Sequence, residues 1–159
     1  MNIIDPNLIT PFTNLIIALL LGVCLGTERS LAGKTAGMRT YGLVSMGASL
    51  FVILSKLVTP LADPGSPGQM YVLQGLIMGI GFIGGGAILH NHNNSSQNED
   101  HTSGITTAAG LWITAGIGAA VGYGYVSIAI FITIATLFAF TGLWFLEHFI
   151  MSFRDGKRN

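Results

Sequence analysis

The chain has 159 residues, of which half are hydrophobic and only 9% are charged. Soluble domains carry roughly 25% charged residues, so this composition excludes an ordinary soluble protein and predicts a membrane protein. Seven basic and seven acidic residues cancel, so no global positive field would attract nucleic acid, and none is expected as a partner.

Five apolar runs follow one another along the chain, and each is near the roughly 20 residues that a helix needs to cross a bilayer. They cover residues 12–27, 41–59, 70–89, 104–122 and 125–145. The segment before the first run contains Asp5 but no basic residue, unlike a secretory signal. The predicted fold class is therefore all-α, a polytopic bundle of five transmembrane helices. Residues 1–150 form the membrane domain, and residues 151–159 form a short basic tail.

The positions of the basic residues predict the orientation of the chain. Five crossings place the first loop, the third loop and the C-terminus on one side of the membrane. That side receives six basic residues, namely Arg29, Lys34, Arg39, Arg154, Lys157 and Arg158. The other side receives only Lys56. Basic residues collect on the cytoplasmic side, so we expect the N-terminus outside and the C-terminus in the cytoplasm.

Glycine is concentrated in the third run. Residues 79–84 match the string G-x-G-x-x-G, but a dinucleotide site needs that string between a strand and a helix. We interpret the glycines as positions of close helix packing, with a loosened, bendable helix as the alternative. The packing set is Gly75, Gly79, Gly81, Gly84 and Gly85, with Gly118 and Gly122 in the fourth run. The fifth run is apolar all round, which predicts a lipid-facing helix.

A polar cluster lies where the first two helices meet. Glu28 and Arg29 end the first helix, and Arg39 and Thr40 begin the second. Because a hairpin brings these ends together, an ion pair between Glu28 and Arg39 is geometrically reasonable. The planar guanidinium of arginine also binds a carboxylate or a lipid phosphate well. The alternative is that these basic residues only hold the loop on the cytoplasmic side.

The polar connection over residues 90–103 contains weak candidates for metal ligands. Imidazole and carboxylate groups can bind divalent metals, and His92, Glu99 and His101 supply them. The asparagine and serine residues around them are typical of a flexible, solvated segment. No metal site or other cofactor is therefore predicted. No nucleophile, base and orienting residue occur together either, so we do not expect an enzyme.

Several motifs resemble the MgtC/SapB family. Its opening motif is similar to Glu28-Arg29 followed by residues 36–40 (AGMRT) and 43–48 (LVSMGA). Its second motif resembles Asp63-Pro64 followed by residues 79–86 (GIGFIGGG), and its third resembles residues 104–118 (GITTAAGLWITAGIG). The motifs occur in the family's order.

The resemblance implies a multi-pass protein of the bacterial inner membrane, linked to magnesium homeostasis and to acid or virulence stress. It also implies contacts with membrane partners such as the proton-translocating ATP synthase, or with further copies of the chain. A small transporter or channel for Mg²⁺ or another ion is the alternative. By this analogy the polar positions of interest are Glu28, Arg29, Arg39, Asp63 and Thr106.

The chain also departs from the family pattern. Residues 101–103 (HTS) stand where a basic residue usually precedes the third motif. Thr106 and Ile113 stand where virulence-linked members carry asparagine and cysteine. Those members also append a soluble domain, whereas about ten residues follow Phe149 here. Functions that depend on these features are not expected to transfer to this chain.

Overall fold

The computed structural model describes residues 6–58, 67–94 and 102–155, and these residues form five helices. Their bounds are α1 (Pro6–Leu31), α2 (Met38–Val58), α3 (Pro67–Asn94), α4 (Thr102–Tyr123) and α5 (Val126–Asp155). All five are long and apolar enough to cross a membrane. The prediction of an all-α bundle with five transmembrane helices is therefore confirmed, and the protein is a multi-pass membrane protein.

The helices extend beyond the apolar runs. α1 continues to Leu31 and α2 begins at Met38, so the connection between them is shorter than the sequence suggests. α3 continues into the predicted polar connection, and α5 continues into the predicted tail. Asp63, Glu99 and His101 lie outside the described residues, as does the side chain of His92.

Two glycines end helices in the left-handed conformation. Gly33 has φ of 67° and follows α1, while Gly124 has φ of 94° and follows α4. After α1, the N–H of Lys34 donates to the carbonyl of Arg29 at 2.9 Å, and the N–H of Gly33 donates to that of Ser30 at 3.1 Å. This pair of bonds is a Schellman motif, which satisfies the last helix carbonyls and turns the chain sharply.

α4 lies at the centre of the bundle and contacts each of the other four helices. In its membrane span 56% of the residues are buried, against 11% for α3 and 17% for α5. α5 touches only α4 and α1 among the described helices, and it exposes large apolar side chains. These include Ile128, Phe131, Ile134 and Phe138. α5 therefore has the lipid-facing character that its sequence predicts.

Glycines bring α2 into close contact with both α1 and α4. A Cβ atom on Gly22 of α1 would lie 2.5 Å from the carbonyl oxygen of Tyr41, too close for any side chain. On α4, a Cβ on Gly118 would overlap the carbonyl of Ser45, and one on Gly122 would lie 2.8 Å from that of Ser49. Only glycine permits this approach of one helix backbone to another.

The glycines of α3 behave differently, because most of them have no neighbour within this chain, and their packing role stays a prediction. Gly84 does face α4, where a Cβ would lie 3.4 Å from that of Ala108. A Cβ on Gly75, Gly79, Gly81 or Gly85 would meet no atom within 4 Å. The reason is that α3 packs on α4 along one side and has few contacts with α2, so its other sides are open.

Candidate functional site: a buried arginine

Arg29 lies on the buried face of α1. The buried positions Ala18, Gly22, Leu25 and Arg29 follow one another at spacings of three and four residues, which places them on one side of the helix. The Arg29 side chain is only 4% exposed, so this stripe carries a permanent positive charge into the bundle. Buried charges in membrane proteins are costly and mark candidate functional sites.

Arg29 joins three helices through its guanidinium group. Its Nη2 atom donates a hydrogen bond to the Thr107 hydroxyl of α4 at 3.2 Å. The guanidinium carbon also lies 4.6 Å from the centre of the Phe140 ring of α5, in cation–π geometry. The charge therefore holds α1, α4 and α5 together at the end of α1, where the negative end of the helix dipole favours a cation.

Tyr41 of α2 completes the site. Its side chain is fully buried, and its hydroxyl lies beside the Arg29 guanidinium without the alignment of a regular hydrogen bond. Gly110 of α4 makes room for it, because a Cβ there would overlap the Tyr41 hydroxyl and lie 2.8 Å from Phe140. We refer to Arg29, Tyr41, Thr107 and Phe140 as the Arg29 centre.

The predicted ion pair between Glu28 and Arg39 is not formed. Oε2 of Glu28 is buried and has no hydrogen-bond partner among the described residues, and Arg39 is exposed. Position explains the difference: Arg39 lies in the first turn of α2 and points away from the bundle, whereas Arg29 points into it. The buried cation of this hairpin is thus contributed by α1.

The Arg29 centre and the neighbouring residue Glu28 contain buried polar atoms without a partner. Nε of Arg29, the hydroxyl of Tyr41 and Oε2 of Glu28 are all buried without a hydrogen-bond partner in the described part of the chain. A buried polar atom that lacks a partner costs about 1–3 kcal/mol, and more when it is charged.

The threonine that contacts Arg29 is Thr107, and not Thr106, which the family motif suggested. Thr106 and Thr40 are exposed, whereas Thr107 is buried and accepts from Arg29. Arg29 is among the polar positions predicted from the sequence, whereas Tyr41, Thr107 and Phe140 are not. A signal for Arg29 was present in the spacing from Leu25, since residues four apart share a helix face. No local pattern links positions 29, 107 and 140, which meet only in the folded bundle.

The described residues contain no group of three or more histidine, cysteine, aspartate or glutamate side chains that could hold a metal ion. The weak candidates His92, Glu99 and His101 have no described side chains, so they remain a hypothesis from the sequence.

The sequence pattern of the MgtC family matches residues 15–149. The chain belongs to the MgtC family. Among its relatives it is 36% identical to "Protein SrpB" of Synechococcus elongatus over 135 residues, which is 80% of this chain and 71% of that one. No solved structure matches this chain.

Two other relatives of this MgtC-family chain are longer proteins. "Protein MgtC" of Salmonella typhimurium is 40% identical over 126 residues, which cover 79% of this chain and 49% of the relative. "Putative magnesium transporter YhiD" of Escherichia coli is 38% identical over 127 residues, which cover 77% of this chain and 55% of the relative. The chain thus spans about half the length of both relatives.

Proposed function

We propose that this protein is a non-enzymatic protein of the bacterial inner membrane that supports magnesium homeostasis by binding other membrane proteins through its helices. A relative named as a putative magnesium transporter supports the link to magnesium. The open side of α3 supports the mode of action. By the family resemblance, the proton-translocating ATP synthase is one such partner, and a second copy of the chain is another.

The observation that carries this proposal is the open space beside Gly81 and Gly85. They lie one turn apart on α3, in the small-xxx-small arrangement that lets two membrane helices approach closely. Inside this chain neither glycine has a neighbour, because a Cβ on either would meet no atom within 4 Å. A helix from another protein can therefore pack there without any rearrangement of the bundle.

Transport of Mg²⁺ is the second candidate, and the name of the YhiD relative favours it. A pathway for Mg²⁺ needs near-octahedral oxygen ligands, because the ion loses its water reluctantly. Among the described side chains the only carboxylate is that of Glu28, next to the permanently charged Arg29. That charge would repel a divalent cation, so the local electrostatics favour the binding proposal.

The binding proposal is tested by closing the open face of α3. We expect Gly81→Leu to abolish growth in low magnesium while the protein still inserts and folds, because leucine blocks a partner helix and its Cβ meets no atom of the chain within 4 Å. Ala135→Leu is the matched control, since Ala135 is exposed on the lipid-facing α5. Full growth with Gly81→Leu would contradict the proposal.

A flux measurement separates the two candidates. We expect vesicles that contain the purified protein to take up Mg²⁺ no faster than empty vesicles. Saturable uptake of Mg²⁺ by the vesicles that contain the protein would replace the binding proposal with transport.

Orientation remains a prediction from the basic residues. We expect cysteines introduced at Lys34 and Asn94 to react with a membrane-impermeant reagent only from the cytoplasmic side. A cysteine at Gly65 should react only from outside. Labelling of Lys34 and Gly65 positions from the same side would contradict the proposed topology.

A further inference from the structure

An apolar groove of about 730 Å³ runs between α2 and α3. A cavity of roughly 150 Å³ is enough to hold a benzene molecule, so this groove has room for a long hydrocarbon chain. Three of its lining residues, Gly47, Gly75 and Gly79, would each place a Cβ in open space. The groove therefore exists because these three positions lack side chains.

The depth of the groove matches one leaflet of a bilayer. On α2 it extends from Leu43 to Phe51, eight residues that rise about 12 Å along a helix. Half of a hydrocarbon core of roughly 30 Å is about 15 Å. Within the α2 span, Met38–Val58, the groove begins five residues after Met38 and ends three residues beyond the midpoint, about 18 Å along the helix from Arg39.

A guanidinium group and a hydroxyl group lie near one end of the groove. Arg39 and Thr40 are exposed, and each lies one helical turn before a lining residue, Leu43 and Val44 respectively. The first turn of α2 contains no acidic residue, so the positive end of its dipole adds to the charge of Arg39. Glu28 does not pair with Arg39, which leaves the guanidinium available at this end.

From this combination we propose that the groove binds one anionic phospholipid, with an acyl chain between α2 and α3 and the phosphate on Arg39. Guanidinium binds phosphate oxygens in a bidentate manner, and the Thr40 hydroxyl can donate a further hydrogen bond. The apolar walls and the depth of one leaflet suit an acyl chain of the same leaflet. This site is separate from the Gly81 and Gly85 face used in the proposed function.

The test uses the full chain in neutral detergent and a phosphatidylglycerol that carries a photoreactive diazirine in its acyl chain. We expect adducts on the groove walls, at Leu43, Phe51 or Ile83, after irradiation. Arg39→Gln should lower the apparent affinity about tenfold, the contribution of a hydrogen bond to a charged group. Gly79→Leu should abolish the groove adducts, because leucine fills the space that the acyl chain would occupy.

Two matched controls make the result specific. Lys34→Gln removes a nearby basic charge without changing the end of the groove, and Gly81→Leu adds the same side chain on another side of α3. Both should keep the groove adducts. Inorganic phosphate should not compete with the lipid, whereas unlabelled phosphatidylglycerol should.

Three results would overturn this proposal. The first is labelling spread evenly over the exposed faces of α3 and α5, and the second is an equal loss of affinity with Lys34→Gln and Arg39→Gln. The third is protection of the groove from photolabelling because a second copy of the chain covers it. Growth of Gly81→Leu in low magnesium bears only on the proposed function, so the two proposals can fail separately.

Discussion

α3 and α4 are both rich in glycine, yet most of the glycines on α3 face open space and most of those described on α4 face a neighbouring helix. On α4, Gly118 and Gly122 lie against the backbone of α2, and the helix is the most buried of the five. On α3, Gly81 and Gly85 face open space, and the helix is the least buried. The comparison shows that a small-xxx-small pattern indicates close approach of a helix but does not indicate whether the partner lies in the same chain.

The largest difference is expected between Gly118→Leu and Gly81→Leu. A side chain at position 118 would overlap the Ser45 carbonyl, and backbone cannot move aside as a flexible side chain can. We expect Gly118→Leu to lower the free energy of unfolding by at least about 3 kcal/mol, the upper range for overpacked cores. Gly81→Leu should unfold like the wild type in the same denaturant titration in detergent.

That comparison would fail if both variants folded equally well. Equal stability would mean that α2 and α4 are not in backbone contact, and the central position of α4 would then be wrong.

The second prediction concerns the arginines of the α1–α2 hairpin. Arg29→Lys keeps the buried charge but loses the planar group that reaches both Thr107 and Phe140, so we expect a loss of about 2 kcal/mol in unfolding free energy. Arg39→Lys should change it by less than about 0.5 kcal/mol, because the residue is exposed. A larger change in unfolding free energy for Arg39→Lys would indicate that Arg39 does form the ion pair with Glu28.

The charge at position 29 can also be removed. Arg29→Met keeps an unbranched side chain and relieves the desolvation of the cation, so we expect stability within about 1 kcal/mol of the wild type. Growth in low magnesium should nevertheless be lost if the Arg29 centre is functional. Normal growth would assign the centre a purely structural role.

The third prediction compares one glycine-to-alanine substitution on α4 with one on α3. A methyl group on Gly110 would overlap Tyr41 and press on Phe140, so Gly110→Ala should cost about 1–2 kcal/mol. A methyl group on Gly85 meets nothing, so Gly85→Ala should leave stability unchanged or slightly raised. Thermal unfolding of the two variants in parallel checks this. Destabilisation by Gly85→Ala would place a neighbour against α3.

The smallest effect is expected at the end of α1. Gly33 has φ of 67°, where a Cβ costs roughly 1–2 kcal/mol, so Gly33→Ala should be destabilising by about 1 kcal/mol. Gly47→Ala, within α2 and facing the open groove, is the matched control and should have no such cost. Equal midpoints of unfolding would mean that the turn after α1 does not need its left-handed residue.

The membrane spans could be predicted from the sequence because hydropathy and length suffice to recognise a helix that crosses lipid. The role of Gly118 and Gly122 in packing could also be predicted, because the two glycines are four residues apart in a small-xxx-small pattern. Which of Arg29 and Arg39 is buried could not be predicted in this way, because it depends on which face of each helix turns toward the bundle. The partners Thr107 and Phe140 are set by the packing of α4 and α5 against α1, which no local spacing encodes.

The central position of α4 has a consequence for how the protein is made. Arg29 and Thr107 are separated by 78 positions in the chain, and ribosomes add about 5–20 residues each second. The arginine therefore waits roughly 4–16 seconds for its hydroxyl partner during synthesis. During that interval the nascent α1–α2 hairpin holds the Arg29 cation without the partners that α4 and α5 contribute in the folded bundle.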